Sequence, residues 1–151
     1  MKATFAAGCF WHVEDLLSKT KGVKSTQVGY IGGQLPNPTY EEVCTDKTGH
    51  AEAVEVEYNS DEISYETLLD VFWNNHNPTT LNRQGHDVGI QYRSVIFYHN
   101  DEQKEIAEKS KQKLDKSGQY DRPVVTEIVS TPIFYKAEEY HQKYFEKHGF
   151  S

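Results

Sequence analysis

Cys9 is the residue of this chain best placed for nucleophilic chemistry. It follows a weakly alternating segment at residues 2–7 and precedes apolar residues that recur at helical spacing from Val13 onward, so the predicted order is strand, cysteine, helix. Unpaired N–H groups and the positive end of the dipole at a helix N-terminus favour an anion, and we therefore expect the Cys9 thiolate to form readily. The rings of Phe10 and Trp11 indicate a substrate with an apolar end. The alternative is a buried cysteine that packs as a small hydrophobic residue.

Glu52 is the carboxylate best suited to acid–base work. Strict alternation across residues 51–58 places Glu52 on the face of a strand that carries the apolar residues, whereas Glu55 and Glu57 fall on the opposite face. A carboxyl group on an apolar face is desolvated, which raises its pKa and makes it a proton donor near neutral pH. Two alternatives stay open. If Glu52 lies at the end of the strand, alternation says little about its direction and water is near. His50 either orients Glu52 or is only a loop histidine.

Five separated motifs carry a resemblance to a known family. They are residues 8–14 (GCFWHVE), 29–33 (GYIGG), 36–40 (PNPTY), 49–54 (GHAEAV) and 91–94 (QYRS). In this order they resemble the A-type peptide methionine sulfoxide reductases, and the match runs over nearly the whole chain. The chain departs from the family at His12, where glycine is usual, and at His86, where asparagine is usual.

The resemblance implies the reduction of free or peptide-bound methionine (S)-sulfoxide to methionine, as a repair of oxidative damage. That reaction needs a nucleophile for sulfur and an acid for oxygen, and Cys9 and Glu52 match the residues with these roles. Tyr40 and Tyr92 match the oxygen-binding tyrosines of the family, whose hydroxyl groups donate to the oxygen as it gains charge. The catalytic cysteine is left as a sulfenic acid.

The resemblance also implies four substrate-binding residues. Phe10 and Trp11 match the wall that receives the S-methyl group, where burial of one methyl contributes on the order of 0.8 kcal/mol. Asp87 matches an acidic residue that contacts the substrate backbone or an ordered water, and Tyr144 matches a further pocket tyrosine. For Phe10 and Tyr144, simple packing in the core remains an open alternative.

The second cysteine, Cys44, bears on how the sulfenic acid is reduced. Many relatives carry resolving cysteines near their C-terminus, whereas this chain ends at residues 149–151 without one. The family often holds a cysteine at the position of Cys44 that takes no part in the reaction. We therefore expect an external thiol to recycle Cys9, either glutathione with glutaredoxin or a thioredoxin-like protein. Cys44 as the resolving residue is the alternative, and it requires the two Cα atoms to come within about 7 Å of each other.

Two other functions are compatible with parts of this pattern. A thiol peroxidase also forms a cysteine sulfenic acid, but a peroxide needs no aromatic pocket for a methyl group. A non-catalytic module that recognises oxidised methionine would leave Cys9 in a structural role. The inward-facing Glu52 argues against such a module.

Composition bounds the remaining possibilities. A chain of 151 residues predicts a single catalytic domain over residues 1–151. A net charge of -7 and an isoelectric point near 5.5 argue against a nucleic-acid or anionic-membrane surface. Only eight residues precede Cys9, too few for a signal peptide, and two cysteines make no disulfide framework, so we expect a cytoplasmic protein. We also expect a monomer. Cys9 and His12 have the spacing of a zinc-ligand pair, but no second pair accompanies them, and we expect neither a metal nor a bound cofactor.

The elements that position these residues follow from periodicity. We predict strands near residues 2–7, 23–30, 51–58, 93–99 and 124–130, and helices near residues 10–18, from Tyr65 after a Ser64 cap, 101–117 and 137–147. This order predicts an α+β two-layer sandwich with a ferredoxin-like β-α-β-β-α-β core and a C-terminal helix-strand-helix extension. Residues 31–50 and 77–92 show no clear period, and we interpret them as walls of the active site.

Overall fold

A computed structural model describes residues 1–148 of the chain. Its strands are β1 (Lys2–Ala7), β2 (Val23–Ile31), β3 (Ala51–Tyr58), β4 (Arg83–Gln84), β5 (Asp87–Val88), β6 (Ser94–Tyr98), β7 (Glu127–Ser130) and β8 (Tyr135–Lys136). Its α-helices are α1 (Phe10–Ser18), α2 (Tyr40–Val43), α3 (Tyr65–Asn74), α4 (Asp101–Lys116) and α5 (Tyr144–Lys147). Short 3-10 helices cover Ile90–Tyr92 and Glu139–His141.

Six strands form one sheet in the order β7-β6-β1-β3-β2-β8. The inner four, β6-β1-β3-β2, are antiparallel throughout and have the ferredoxin-like order that the sequence predicts. Strand β7 adds to one edge parallel to β6, and β8 adds to the other edge antiparallel to β2. Strands β4 and β5 form a separate hairpin.

Each face of the sheet has its own apolar cluster. On the helix side, Phe5 and Val54 pack with Leu17 of α1 and with Leu68 and Phe72 of α3. The opposite face carries a smaller cluster, formed by Ala6, Ile31, Ala51, Ala53, Val95 and Phe97 and covered in part by Phe134. The predicted two-layer sandwich is therefore confirmed. Within residues 1–148, no helix is both long and apolar enough to cross a bilayer.

The predicted C-terminal helix over residues 137–147 is wrong as a continuous element. It is divided into the 3-10 turn and α5 by Lys143, which has a left-handed φ of 54°. The Gln142 side chain next to it bonds both backbone groups of Val28, and the Lys143 N–H donates to Glu14 Oε1. These tertiary hydrogen bonds to buried partners replace the backbone hydrogen bonds of a continuous helix. Residues 149–151 lie outside the described part of the chain.

The two aperiodic segments contain more structure than predicted. Residues 31–50 include helix α2, which begins with a capping box between Thr39 and Glu42. Residues 77–92 contain the β4–β5 hairpin and a 3-10 turn. A single helical turn and two-residue strands are too short to produce a recognisable period in the sequence.

Candidate active site

The chain turns sharply between β1 and α1, and Cys9 lies at this turn. Gly8 has a φ of 92°, and a Cβ there would lie 2.8 Å from Cβ of Gln84, so glycine is required by both conformation and space. Cys9 is the N-cap of α1 in an extended conformation. Its sulfur receives hydrogen bonds from the N–H groups of Trp11 and His12, as expected at a helix N-terminus.

Glu52 faces Cys9 from strand β3 and is 1% exposed. The backbone N–H of Phe10 donates to Glu52 Oε1 at 3.2 Å, whereas Oε2 is buried and has no hydrogen-bond partner among the described residues. Burial raises the pKa of Glu52 to about 8, with a contribution from the negative charge of Asp87 and opposition from the Phe10 N–H. The prediction that Glu52 points inward with a raised pKa is confirmed.

The expectation of a readily formed Cys9 thiolate is wrong. Burial, followed by the charge of Glu52, raises the pKa of the Cys9 thiol to about 12. The N–H groups of Trp11 and His12 lower the pKa of Cys9, as the helix N-terminus predicts, but desolvation outweighs them. The resting site therefore holds one proton on sulfur and, at neutral pH, one on Glu52.

Tyr40 and Tyr92 are both positioned by aperiodic segments. Tyr40 begins α2, where its N–H donates to Glu138 Oε2 at 3.0 Å. Tyr92 ends the 3-10 turn that Asp46 anchors through the N–H of Ile90 at 2.9 Å. Burial raises the pKa of each phenol, and the charge of Glu52 raises both further, so both remain hydrogen-bond donors. The structure thus brings both tyrosines into the electrostatic environment of Glu52.

Trp11 and Tyr144 form a stacked aromatic pair. Their ring centroids are 3.8 Å apart at an interplanar angle of 7°, and both side chains are half-buried. Phe10 differs, because its ring is 1% exposed and packs against Tyr30 and His141. The backbone N–H of Phe10 contacts the site directly, whereas a role of its ring in substrate binding stays a prediction.

Asp87 lies on the short hairpin that faces the N-terminus of α1. Its side chain is exposed, and together with Cys9 it lines a cavity. The charge of Asp87 raises the pKa of both Cys9 and Glu52. The neighbouring His86 is exposed at the hairpin turn.

Cys44 lies at the C-cap of α2, one helical turn after Tyr40. The Tyr40 hydroxyl donates a hydrogen bond to its sulfur, and burial raises the pKa of the Cys44 thiol above its ordinary value. Both Cys9 and Cys44 are free thiols.

His50 supports the loop and does not orient Glu52. Its Nδ1 accepts the N–H of Gly33 at 3.0 Å, and its Nε2 bonds the carbonyl of Leu35 at 2.7 Å, so both ring nitrogens are used. A Cβ at position 33 would lie 2.4 Å from the backbone of Thr48 and His50, which explains the glycine there. Within residues 1–148, no three His, Cys, Asp or Glu side chains cluster in a way that could hold a metal ion.

Two residues that sequence reasoning missed organise the aromatic side of the site. Glu138 accepts from the Tyr30 hydroxyl at 2.8 Å as well as from the Tyr40 N–H. His141 is 1% exposed, and its Nδ1 accepts from Trp11 Nε1 at 3.0 Å. The sequence predicts one continuous helix over residues 137–147 and does not single out Glu138 or His141. The left-handed Lys143 that breaks this helix left no signal in the sequence.

Comparison with known proteins gives a consistent result. The family model described as peptide methionine sulfoxide reductase matches residues 1–150. Peptide methionine sulfoxide reductase MsrA of Methanosarcina mazei is 63% identical over 149 residues, which cover 99% of this chain and 71% of that protein. The reduced form of Mxr1 from Saccharomyces cerevisiae superimposes with a TM-score of 0.90 at 36% identity, covering 100% of this chain and 87% of that one. Mxr1 in complex with Trx2 matches with a TM-score of 0.65 at 28% identity, covering 95% and 84%.

Proposed function

Because this chain belongs to the peptide methionine sulfoxide reductase family and is a thiol-dependent oxidoreductase that reduces methionine sulfoxide, we propose that Cys9 is its nucleophile and Glu52 its general acid. One observation carries this assignment. Glu52 has one carboxyl oxygen fixed by the N–H of the residue after Cys9, and the other is buried without a partner within residues 1–148. A buried polar group without a partner is costly, and a sulfoxide oxygen would satisfy it.

In the first step, the sulfoxide oxygen accepts hydrogen bonds from Glu52 Oε2 and from the hydroxyl groups of Tyr40 and Tyr92. Cys9 loses its proton and its sulfur attacks the substrate sulfur, while Glu52 delivers a proton to the oxygen. The proton lost by Cys9 also reaches this oxygen, so the S–O bond of the substrate breaks as water leaves and an S–S bond joins Cys9 to the substrate. Water then attacks the Cys9 sulfur, the S–S bond breaks, and the proton released from the water returns to Glu52. Methionine leaves, and Cys9 is oxidised to the sulfenic acid, so that atoms and electrons balance without a cofactor.

The Trp11–Tyr144 pair is the aromatic surface proposed to receive the S-methyl group. Phe10 is proposed to contribute to the same wall. Sulfur and methyl groups pack favourably on aromatic rings. Asp87 is proposed to contact the substrate backbone, either directly or through water, because its exposed carboxylate lies beside Cys9. A site that fixes the oxygen, the methyl group and the attacking sulfur accepts one configuration at the substrate sulfur, and we propose the S epimer of free and peptide-bound methionine sulfoxide.

An external thiol is proposed to reduce the sulfenic acid. The complex of the structural relative Mxr1 with Trx2 supports a protein reductant of the thioredoxin type. Glutathione with glutaredoxin is the second candidate, since the 151 residues contain only Cys44 as an additional thiol. Such reductants operate in reducing compartments, and we propose a cytoplasmic location.

We further propose that the chain acts as a monomer with one catalytic domain. Both ends of the chain contribute to the same site, since Trp11 near the N-terminus contacts His141 and Tyr144 near the C-terminus. Size-exclusion chromatography with light scattering tests the monomer, for which the expected mass is 17.4 kDa.

Steady-state turnover with dithiothreitol tests the proposed function. We expect reduction of N-acetylmethionine (S)-sulfoxide, no reduction of the R epimer by chiral chromatography, and only slow consumption of hydrogen peroxide. Equal consumption of both epimers would contradict the geometry proposed for the pocket. Faster turnover of hydrogen peroxide than of the sulfoxide would favour a thiol peroxidase, and no turnover of either would favour a binding module.

A further inference from the structure

A cavity of about 280 Å³ lies between α1 and α3, and Cys9 is among the residues that line it. Its walls are mainly apolar and include Val13 and Leu16 from α1 and Val71 and Phe72 from α3. Ligand pockets of about 300–1,000 Å³ typically have apolar walls and a few polar groups, and this cavity is close to the lower limit of that range.

This cavity is distinct from the aromatic surface proposed for the S-methyl group. Neither Trp11 nor Tyr144 is among the residues that line it. Trp11 stacks on Tyr144 on one side of α1, whereas Val13 and Leu16 on the same helix face the cavity. A substrate whose sulfur reaches Cys9 is therefore adjacent to a second apolar space.

We propose that this cavity binds an apolar side chain of a residue within two positions of methionine sulfoxide in a peptide or protein substrate. The proposal rests on the proposed function, because the oxidised side chain must reach Cys9. An extended chain advances about 3.3 Å per residue, so a side chain two positions away lies within about 7 Å of the methionine sulfoxide backbone. Neighbouring residues of a peptide substrate thus come within reach of the cavity, because Cys9 lines it.

The charge of the cavity selects against acidic neighbours. Asp87 lines it with an exposed carboxylate, and the whole chain has a net charge of -7. A flanking aspartate or glutamate would bring a like charge next to Asp87 and would have to be desolvated against apolar walls. Apolar residues have neither cost and bury surface in the cavity.

His12 gains a role in this arrangement. It lines the cavity, is exposed, and lies edge-on to Phe145 with ring centroids 4.7 Å apart at 76°. The imidazole thus extends the wall beyond the helix backbone. A glycine at this position would leave that part of the wall open.

The experiment uses acetylated, amidated five-residue peptides with methionine (S)-sulfoxide at the centre. Leucine, glycine or aspartate occupies each of the other four positions in turn, and glycine fills the remainder. We expect leucine in at least one position to raise kcat/KM about tenfold over glycine, since partial burial of one apolar side chain supplies an effect of this size. Aspartate in the same position should lower kcat/KM below the glycine value. N-Acetylmethionine sulfoxide serves as a substrate without neighbours.

Two variants connect the preference to the cavity. Val71→Phe and Leu16→Phe fill it from opposite helices, and each should reduce the leucine preference to less than about twofold while the kcat/KM for N-acetylmethionine sulfoxide is unchanged. Val129→Phe on β7, at a position 38% exposed and outside the cavity, is the matched control and should retain the preference. His12→Ala should lower the leucine preference partially.

Wild-type enzyme that reduces all the peptides equally, or a leucine preference that persists in both filling variants, would overturn the proposal. So would an equal loss on every substrate in both filling variants. These outcomes differ from a failure of the proposed function, in which the wild-type enzyme would not reduce N-acetylmethionine sulfoxide at all.

Discussion

The backbone N–H of Phe10 donates to Glu52 Oε1 at 3.2 Å, and this bond joins the first residue of α1 to strand β3. The first N–H groups of a helix have no partner within the helix, so a carboxylate can accept from them at little cost. Since Phe10 follows Cys9 directly, the same contact sets the distance between the proposed nucleophile and the proposed acid. It also leaves the second oxygen of Glu52 for the substrate.

Replacing Glu52 by glutamine tests this arrangement. The amide keeps an acceptor for the Phe10 N–H but cannot deliver a proton, so we expect the single-turnover rate of sulfoxide reduction to fall by about 10²–10⁴-fold. Rapid-quench measurement of methionine formation gives the rate. Glu55→Gln, on the outer face of the same strand, is the control and should react like the wild type. An unchanged rate in Glu52→Gln would show that Glu52 is structural.

The pH dependence follows from the two raised pKa values. Below about pH 8, Glu52 retains its proton while the thiolate fraction of Cys9 grows with pH, so kcat/KM for the sulfoxide step should rise. Above about pH 8, loss of the Glu52 proton offsets the growth of the thiolate, and the profile should level off because the pKa of Cys9 is about 12. In Glu52→Gln the pH profile of kcat/KM should no longer level off near pH 8. A wild-type profile that is flat from pH 6 to 8 would contradict these protonation states.

The sequence predicted the central fold because alternation and helical spacing are strong in β3, α1 and α3. The position of Glu52 followed from the same alternation. Three features could not be predicted. The Cys9 pKa depends on burial by segments distant in sequence, and helix α2 is a single turn. The break at Lys143 arises from bonds of its neighbours to Val28 and Glu14, which no local pattern records.

His76 should make the stability of the fold sensitive to acid. It is half-buried between α3 and β6, where Nδ1 bonds the carbonyl of Phe72 at 2.6 Å and Nε2 bonds Ser94 Oγ at 2.8 Å. Burial lowers the pKa of His76 from 6.5 to about 4. Between these pH values the unfolded chain binds a proton at His76 and the folded chain does not. The contribution of His76 to the free energy of unfolding is therefore fully present above pH 6.5 and is lost as the pH falls toward 4.

Complete loss of the His76 contribution lowers the free energy of unfolding by about 3 kcal/mol. Urea denaturation at pH 7, 5.5 and 4.5 should show that the difference between wild type and His76→Gln shrinks as the pH falls. A difference that is constant with pH would mean that His76 does not titrate in this window.

Replacing Cys44 by serine tests the route of recycling. Serine keeps an acceptor for the Tyr40 hydroxyl, so turnover with dithiothreitol should stay within about twofold of wild type if an external thiol reduces Cys9. Non-reducing peptide mapping of wild-type enzyme after one turnover without reductant should show no Cys9–Cys44 disulfide. Such a disulfide, together with loss of multiple turnover in Cys44→Ser, would make Cys44 the resolving residue.

Single turnover without reductant tests the central claim most directly. Wild-type enzyme and excess N-acetylmethionine (S)-sulfoxide, quenched in dimedone and analysed by mass spectrometry, should give about one reduced product per chain and one dimedone adduct on Cys9, since the sulfenic acid is the product left on the nucleophile. Cys9→Ser should give neither, with its fold retained by circular dichroism. Reduced product without modification of Cys9, or product formation by Cys9→Ser, would contradict the account.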